Sequence, residues 1–187
     1  KIGLFGGTFD PPHIGHLIIA EEVRMALQLD EVWFIPTNDP PHKSSARAEG
    51  EDRFKMLNLA INDHSFFKSL DIELKRQGKS YTIETVQLLK RAHPLNSFYF
   101  IIGADLIETL DNWKDINKLI NLVTFVGVNR SGYSIKTSYP VTFVKIPFID
   151  VSSTMIRNRL ANKQSVKFWL PPSVYRYILK ESLYEIE

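Results

Sequence analysis

The sequence contains no cysteine, and this absence removes several kinds of chemistry at once. Disulfides, thiolate catalysis and cysteine-ligated zinc or iron–sulfur sites are excluded, and the composition fits a reducing cytoplasm. An excess of one charge is also missing, because 23 Lys and Arg residues are balanced by 21 Asp and Glu residues. A net charge of +2 lacks the concentrated basic character of nucleic-acid-binding proteins, so we expect no nucleic-acid partner.

Long apolar segments are absent as well. No run approaches the roughly 20 residues that span a bilayer, and residues 1–5 read as a strand without a signal-peptide pattern. We therefore expect a cytoplasmic protein with no membrane partner. Neither a Walker A sequence nor a GxGxxG fingerprint is present, which excludes an ordinary P-loop or NAD-binding turn.

Short apolar runs alternate with segments of helical spacing along the chain. Strands are predicted at 2–5, 32–35, 66–74, 98–102, 123–128 and 141–146. Helices are predicted at 17–27, 53–61, 82–91, 106–120 with a break near Asn112, 153–160 and 173–182. The alternation predicts an α/β fold with a mostly parallel sheet and helices on both faces. The length fits one domain, residues 1–187, including the C-terminal helices from about 153.

The most informative segment is GGTFDPPHIGH at residues 6–16, which directly follows the first predicted strand and opens the first helix. Two glycines let the backbone approach a ligand closely, and the N–H groups of such a loop and helix start bind anions. His13 and His16 are three residues apart, so both rings can face one side and donate hydrogen bonds to a triphosphate. The alternative is a glycine turn with two surface histidines. We expect no protein-held metal, because a third ligand is not evident nearby.

A second segment, VSSTMIR at residues 151–157, places hydroxyl residues at the start of a predicted helix and Arg157 one turn later. Alone, this pattern is more typical of a plain N-cap with a solvated arginine. Beside a triphosphate, the same groups would bind the β- and γ-phosphates and a pyrophosphate leaving group.

Together the two segments resemble the HxGH nucleotidyltransferase superfamily, which has a Rossmann-like α/β nucleotidyltransferase fold shared with class I aminoacyl-tRNA synthetases. A synthetase is disfavoured, because 187 residues leave no room for a tRNA-binding domain and no KMSKS segment follows. The resemblance implies that His13, His16 and Arg157 are catalytic. In this scheme the histidines hold the ATP phosphates, His16 stabilises the α-phosphate in the transition state, and Arg157 steadies the departing pyrophosphate. The implied ATP-binding residues are Gly6, Gly7, Thr8, Phe9, His13, His16, Gly103, Asp105, Ser152, Ser153 and Arg157.

Three further segments narrow the resemblance: PPHK at 40–43, SYTIET at 80–85, and IGAD at 102–105 with Asn112 and Trp113 shortly after. With the first two segments they are similar, along the whole chain, to the bacterial nicotinate-nucleotide adenylyltransferases. That family transfers the adenylyl group of ATP, with Mg²⁺, to nicotinate mononucleotide, giving nicotinate adenine dinucleotide (deamido-NAD) and pyrophosphate in NAD biosynthesis. The implied acceptor-binding residues are Asp10, His42, Lys43, Ser80, Tyr81, Thr82, Thr85 and Trp113.

The residues named for the acceptor suit its chemistry, although each has a simpler explanation. Trp113 offers a flat surface for an aromatic acid, but it also fits an apolar core. Backbone N–H groups around Thr82 and Thr85 at a helix start would bind the carboxylate, but Thr82 is also a good N-cap. Asp10 either aligns its loop or assists a metal.

Other functions stay open on the sequence alone. Pantetheine-phosphate adenylyltransferase and glycerol-phosphate cytidylyltransferase share the first motif, although the SYTIET and Asn112-Trp113 segments argue against both. A non-catalytic nucleotide sensor is the alternative outside enzymes. The oligomeric state is also open, with a homodimer as one expectation.

Overall fold

Six parallel strands form one sheet, and their order places the first strand near its centre. The computed structural model describes residues 1–38, 46–76, 79–130 and 137–184, apart from the side chains at 105, 129 and 130. The strands are β1 (Ile2–Gly7), β2 (Glu31–Pro36), β3 (Phe67–Ser69), β4 (Phe98–Gly103), β5 (Thr124–Arg130) and β6 (Val141–Ile146). Their order is β3-β2-β1-β4-β5-β6, and every neighbouring pair is parallel. This is the strand order of a doubly wound Rossmann sheet, and it confirms the predicted fold class.

Helices connect the strands and follow the last one. They are α1 (Ile14–Leu27), α2 (Gly50–Ile61), α3 (Thr82–Ala92), α4 (Ala104–Ile107), α5 (Ile116–Leu119), α6 (Ser153–Ala161) and α7 (Pro172–Lys180), with a 3₁₀ turn at Leu110–Asn112. None of the helices in the described ranges has both the length and the apolar character that a membrane crossing requires.

Both faces of the sheet are covered, because successive residues of its central strands point into two different apolar clusters. In β1, Leu4 joins the cluster that includes α3 and α5, while Phe5 joins the cluster that includes α1, α2, α6 and α7. In β2, Trp33 joins the first of these clusters and Phe34 joins the second. Burial on both faces explains why these strands read as continuous apolar runs in the sequence.

Several predicted elements begin or end up to three residues away from the observed bounds, and two differ more substantially. The strand expected at 66–74 ends at Ser69, since the chain then turns, with the Lys75 N–H donating to the Asp71 carbonyl over 2.9 Å. The helix expected at 106–120 is divided into α4, the 3₁₀ turn and α5, so the predicted break near Asn112 is present. Asp115, with φ at 53°, lies in the left-handed region immediately before α5 and separates it from the turn.

Candidate active site

The loop between β1 and α1, residues 8–13, makes a tight turn at the point where strand order reverses between β1 and β4. Phe9 has a positive φ of 50° and is buried, and its ring packs edge-to-face on Phe5 with the ring centroids 5.7 Å apart. A Cβ at Gly7 would lie 3.0 Å from the Phe9 ring, so any larger residue would force this ring to shift. The apolar ring of Phe9 thus anchors a loop whose other groups are polar.

The two histidines lie together at the start of α1. His13 is the N-cap, and its ring stacks on the ring of His16 with centroids 3.8 Å apart and an interplanar angle of 29°. The expectation that both rings share one side of the first turn is therefore confirmed. A Cβ at Gly15 would lie 3.0 Å from two atoms of the His13 ring. Glycine at this position allows the His13 ring to lie against the helix.

Hydrogen bonding fixes the protonation of one ring. The His13 backbone N–H donates to Nδ1 of His16 over 3.2 Å, so this nitrogen carries no proton. When the His16 ring is neutral, its proton is therefore on Nε2. Burial lowers the pKa of His13 to about 4, so its ring is neutral near pH 7 when no anion is bound.

A cavity of about 490 Å³, which we call the histidine cavity, opens beside these rings. Except for Asp105, it is lined by all the predicted ATP-binding residues: Gly6, Gly7, Thr8, Phe9, His13, His16, Gly103, Ser152, Ser153 and Arg157. Asp105 lies in α4, and its side chain is outside the described part of the structure. The cavity brings together two segments, 6–16 and 151–157, that are far apart in the chain.

The start of α6 is attached directly to the loop at residues 8–13, which we call the phosphate loop after its predicted role. Ser152 caps the helix, since its Oγ accepts the Met155 N–H over 3.2 Å. Ser153 Oγ donates to the Pro11 carbonyl over 2.9 Å, and Arg157 Nη1 donates to the Asp10 carbonyl over 2.7 Å. The single hydroxyl proton of Ser153 is thus used within the protein, whereas the guanidinium of Arg157 has further N–H groups to offer an anion.

Asp10 is almost fully buried, with 2% of its surface exposed. Its carboxylate accepts the backbone N–H groups of Arg47 (2.8 Å) and Ala48 (3.2 Å) and the hydroxyl of Tyr184 (2.7 Å). These contacts fit the interpretation that Asp10 aligns its loop. It lies on the histidine cavity rather than among the other predicted acceptor-binding residues.

Arg53 is a buried cation that the sequence interpretation missed. Its Nη1 donates to the carbonyls of Thr8 and Thr37, both over 2.8 Å, which joins the phosphate loop to the residues after β2. The sequence does contain a signal for the burial of Arg53. The apolar residues Met56, Leu57 and Ala60 stand three, four and seven positions after it, which is helical spacing, and all three are buried. Arg53 therefore stands on the apolar stripe of α2, where an unpartnered cation is costly.

A second cavity, of about 530 Å³, lies between the start of α3 and the end of the 3₁₀ turn, which Trp113 follows, and we call it the tryptophan cavity. Its lining includes four of the predicted acceptor-binding residues, Ser80, Tyr81, Thr82 and Trp113. Thr85 does not line it. The Thr85 hydroxyl is buried behind the wall, donating to Glu73 Oε1 over 2.7 Å and accepting from Arg76 Nη2 over 3.0 Å. His42 and Lys43 lie outside the described residues.

The helix start at this cavity differs from the prediction in detail. Tyr81 is the N-cap of α3 and Thr82 is its first residue, so Thr82 does not cap the helix. The backbone N–H groups of Glu84 and Thr85 both donate to the Tyr81 carbonyl. The N–H groups of Thr82 and Ile83 precede these bonds at the first turn of the helix, and Thr82 lines the cavity. Thr85 therefore supports the site from behind.

Trp113 belongs to both the core and the cavity. Its ring packs edge-to-face on Phe100 and Phe125, with centroids 5.9 and 6.0 Å apart. Its Nε1 is buried and has no hydrogen-bond partner among the residues that the structure describes. A buried indole N–H is usually paired, so this donor is an exception among buried polar groups.

The sequence interpretation also missed the charged residues around the tryptophan cavity. Lys114 Nζ lies 4.1 Å from the centroid of the Tyr81 ring and 2.7 Å from Glu84 Oε1. Burial raises the pKa of Glu73, and the hydrogen bond from Thr85 opposes this shift. Lys114 and Glu73 are charged residues between the regular elements. Their sequence neighbourhoods do not distinguish them from ordinary solvent-exposed charges.

The two cavities adjoin at the carboxyl ends of β1 and β4. They share lining residues from both strands and from α4, which are Gly6, Gly7, Thr8, Ile102 and Leu106. Ligands of open α/β sheets bind at this topological switch point. Molecules in the two cavities would face each other across the end of β1.

The doubly wound sheet, the tight loop with paired histidines and the two adjoining cavities are consistent with the nucleotidyltransferases, and comparisons with known proteins show that class. The model of the cytidylyltransferase-like family matches residues 4–159 of the chain.

Similar proteins identify the particular family. The chain is 54% identical to a protein of Oceanobacillus iheyensis named probable nicotinate-nucleotide adenylyltransferase, over 98% of this chain and 96% of the relative. It is 46% identical to the nicotinate-nucleotide adenylyltransferase of Bacillus subtilis, over 99% and 98%. A solved structure, the Plasmodium falciparum nicotinic acid mononucleotide adenylyltransferase complexed with NaAD, has the same fold. It gives a TM-score of 0.82 at 24% identity over 98% of this chain and 96% of that one. The chain belongs to the nicotinate-nucleotide adenylyltransferase family.

Proposed function

We propose that this protein transfers the adenylyl group of ATP to nicotinate mononucleotide, giving nicotinate adenine dinucleotide and pyrophosphate in NAD biosynthesis. The observation that carries the proposal is the junction of the two cavities at the end of β1. One cavity has donors for a triphosphate and the other has an aromatic wall and a helix start. A phosphate group held in the second would lie next to the α-phosphorus of ATP held in the first.

The acceptor is itself a phosphate and is already anionic at neutral pH, so the reaction needs no general base. An oxygen of the mononucleotide phosphate forms a bond to the α-phosphorus of ATP. The bond from this phosphorus to the bridging oxygen breaks, and pyrophosphate leaves with the electron pair. Catalysis then depends on positioning the two phosphates and on stabilising charge in the transition state.

The histidine cavity supplies that stabilisation. Nε2–H of His16 is the proposed donor to the α-phosphate, because Nδ1 of the same ring is occupied by the His13 N–H. His13 is neutral in the free protein, and the negative charge of a triphosphate favours its protonated form. Arg157, held by the Asp10 carbonyl, is the proposed partner of the departing pyrophosphate.

The tryptophan cavity is the proposed acceptor site. The N–H groups of Thr82 and Ile83 at the start of α3 suit the nicotinate carboxylate, since a helix N-terminus favours an anion over a neutral amide. The ring of Trp113 forms the adjacent aromatic wall. His42 and Lys43 remain predicted acceptor-binding residues.

Mg²⁺ is proposed to enter with ATP as part of the substrate. Within the described residues no group of three or more His, Asp or Glu side chains is placed to hold a metal ion. Phosphate oxygens and water molecules are therefore the expected ligands, which is usual for Mg²⁺ bound with nucleotides.

The cytoplasmic location and the homodimer also remain predictions. Sedimentation of the purified protein would test whether it forms a homodimer.

Release of pyrophosphate tests the proposal directly. Purified protein with ATP and Mg²⁺ is offered nicotinate mononucleotide, nicotinamide mononucleotide or pantetheine phosphate, and a further reaction offers CTP with glycerol phosphate. We expect rapid release with nicotinate mononucleotide and slower release with its amide. Faster turnover with pantetheine phosphate or with CTP would reject the proposed acceptor. Tight ATP binding without any pyrophosphate release would instead favour a nucleotide sensor.

A further inference from the structure

Tyr184 reaches the phosphate loop from the opposite end of the chain. Its hydroxyl donates to Oδ1 of Asp10 over 2.7 Å, across 174 positions of sequence. Burial, and then the neighbouring Asp10 carboxylate, raises the pKa of Tyr184. The hydroxyl therefore keeps its proton at neutral pH and acts as a hydrogen-bond donor to the carboxylate.

The hydrogen bond from Tyr184 is one of a small set that satisfies a buried charge. Asp10 Oδ1 also accepts the Ala48 N–H over 3.2 Å, and Oδ2 accepts the Arg47 N–H over 2.8 Å. A buried carboxylate that loses one donor is no longer compensated, so it moves toward another donor or toward water. The orientation of Asp10 thus depends on Tyr184.

Asp10 in turn holds a proposed catalytic group. Its backbone carbonyl accepts Nη1 of Arg157 over 2.7 Å, and Arg157 Nη1 lies 3.8 Å from its Oδ2. The same residue is in the loop that leads to His13. A shift of Asp10 would therefore displace the guanidinium and the loop together.

We propose that Tyr184 is a positioning residue for adenylyl transfer, which orients Asp10 and through it the phosphate loop and Arg157. This inference rests on the proposed function. Tyr184 does not line either cavity and acts only through its contact with Asp10.

A second tyrosine–aspartate pair provides a matched control. The hydroxyl of Tyr177 in α7 donates to Asp52 Oδ1 in α2 over 2.8 Å, and neither residue lines the two cavities. Tyr184→Phe and Tyr177→Phe each remove one hydroxyl of similar geometry from the C-terminal part of the protein. A general loss of stability is common to both changes, whereas a loss of positioning is expected only in the first.

The experiment compares steady-state kinetics below the unfolding temperature of each variant. For Tyr184→Phe we expect kcat/KM for ATP to fall by about tenfold or more, because small displacements of reacting groups cost large factors in rate. KM for nicotinate mononucleotide should change less than twofold, and Tyr177→Phe should match the wild type within twofold. An unchanged kcat/KM in Tyr184→Phe, or an equal loss in both variants, would overturn the inference.

A double-mutant cycle tests the route through Asp10. If Tyr184 acts through that carboxylate, Tyr184→Phe should cost little more when Asp10→Asn is already present. Fully additive losses would contradict the inference even if each single variant were slow.

Binding of a non-hydrolysable ATP analogue without acceptor separates this test from the proposed function. If wild-type protein released no pyrophosphate with any acceptor, the proposed function would fail. The positioning role would still require weaker analogue binding in Tyr184→Phe, and unchanged binding would reject it.

Discussion

The buried His13 ring predicts an acid-sensitive fold, and the size of the effect follows from its burial. Only 5% of the residue is exposed, and burial lowers its pKa from 6.5 to about 4. The unfolded chain therefore binds a proton at a higher pH than the folded chain does. Proton uptake by His13 therefore favours the unfolded state, and the unfolding free energy falls as the pH decreases from 6.5 toward 4. Above pH 6.5 the neutral His13 ring causes no such loss of stability.

Applying the linkage relation between pH 7 and pH 5 gives a loss of about 2 kcal/mol from this one group. Urea denaturation of the ligand-free protein at the two values measures the total change, which also includes carboxylates. His13→Asn isolates the histidine term, since asparagine keeps a polar side chain that does not titrate. We expect the loss between pH 7 and pH 5 to be about 2 kcal/mol smaller in the variant. Equal losses in the two proteins would refute the assigned neutral, buried state of His13.

The remaining predictions concern the two sides of the reaction. His16→Ala should lower kcat by about 100-fold or more while binding of an ATP analogue weakens much less, because the lost bond is formed mainly in the transition state. His64→Ala, a change at an exposed histidine, is the control, and an unchanged kcat in His16→Ala would reject the catalytic role. Trp113→Ala should bind nicotinate mononucleotide about tenfold more weakly, with Trp113→Phe between it and the wild type. Equally tight binding by calorimetry in Trp113→Ala would exclude stacking on this ring.

Much of the fold could be predicted because its central strands are buried on both faces, and the apolar run at 98–102 differs from β4 by one residue. The run at 141–146 has the bounds of β6, although that strand lies at the edge of the sheet and is partly exposed. The phosphate loop could be predicted for a local reason, since its glycines, prolines and histidines all act within 11 residues of one strand–helix junction. Short-range patterns of this kind are readable without knowing the tertiary structure.

The rest of the site depends on contacts between distant parts of the chain. Nothing near Tyr184 indicates that its hydroxyl meets Asp10, and the pairing follows only from the way the C-terminal segment returns to the first loop. Thr85 was expected at the acceptor, but its buried hydroxyl is bonded to Glu73 and Arg76, and Thr85 does not line the cavity. Side-chain direction at a helix start depends on which residue caps it, and Tyr81 gave no capping signal in the sequence.

We propose that the loop at 8–13 and the paired histidines hold the triphosphate of ATP. A crystal structure with a non-hydrolysable ATP analogue and Mg²⁺ would show where the triphosphate binds. The α-phosphate should lie within hydrogen-bond distance of His16 Nε2, and the terminal phosphates should lie near Arg157. A triphosphate bound in the tryptophan cavity, or anywhere away from these two histidines, would contradict it.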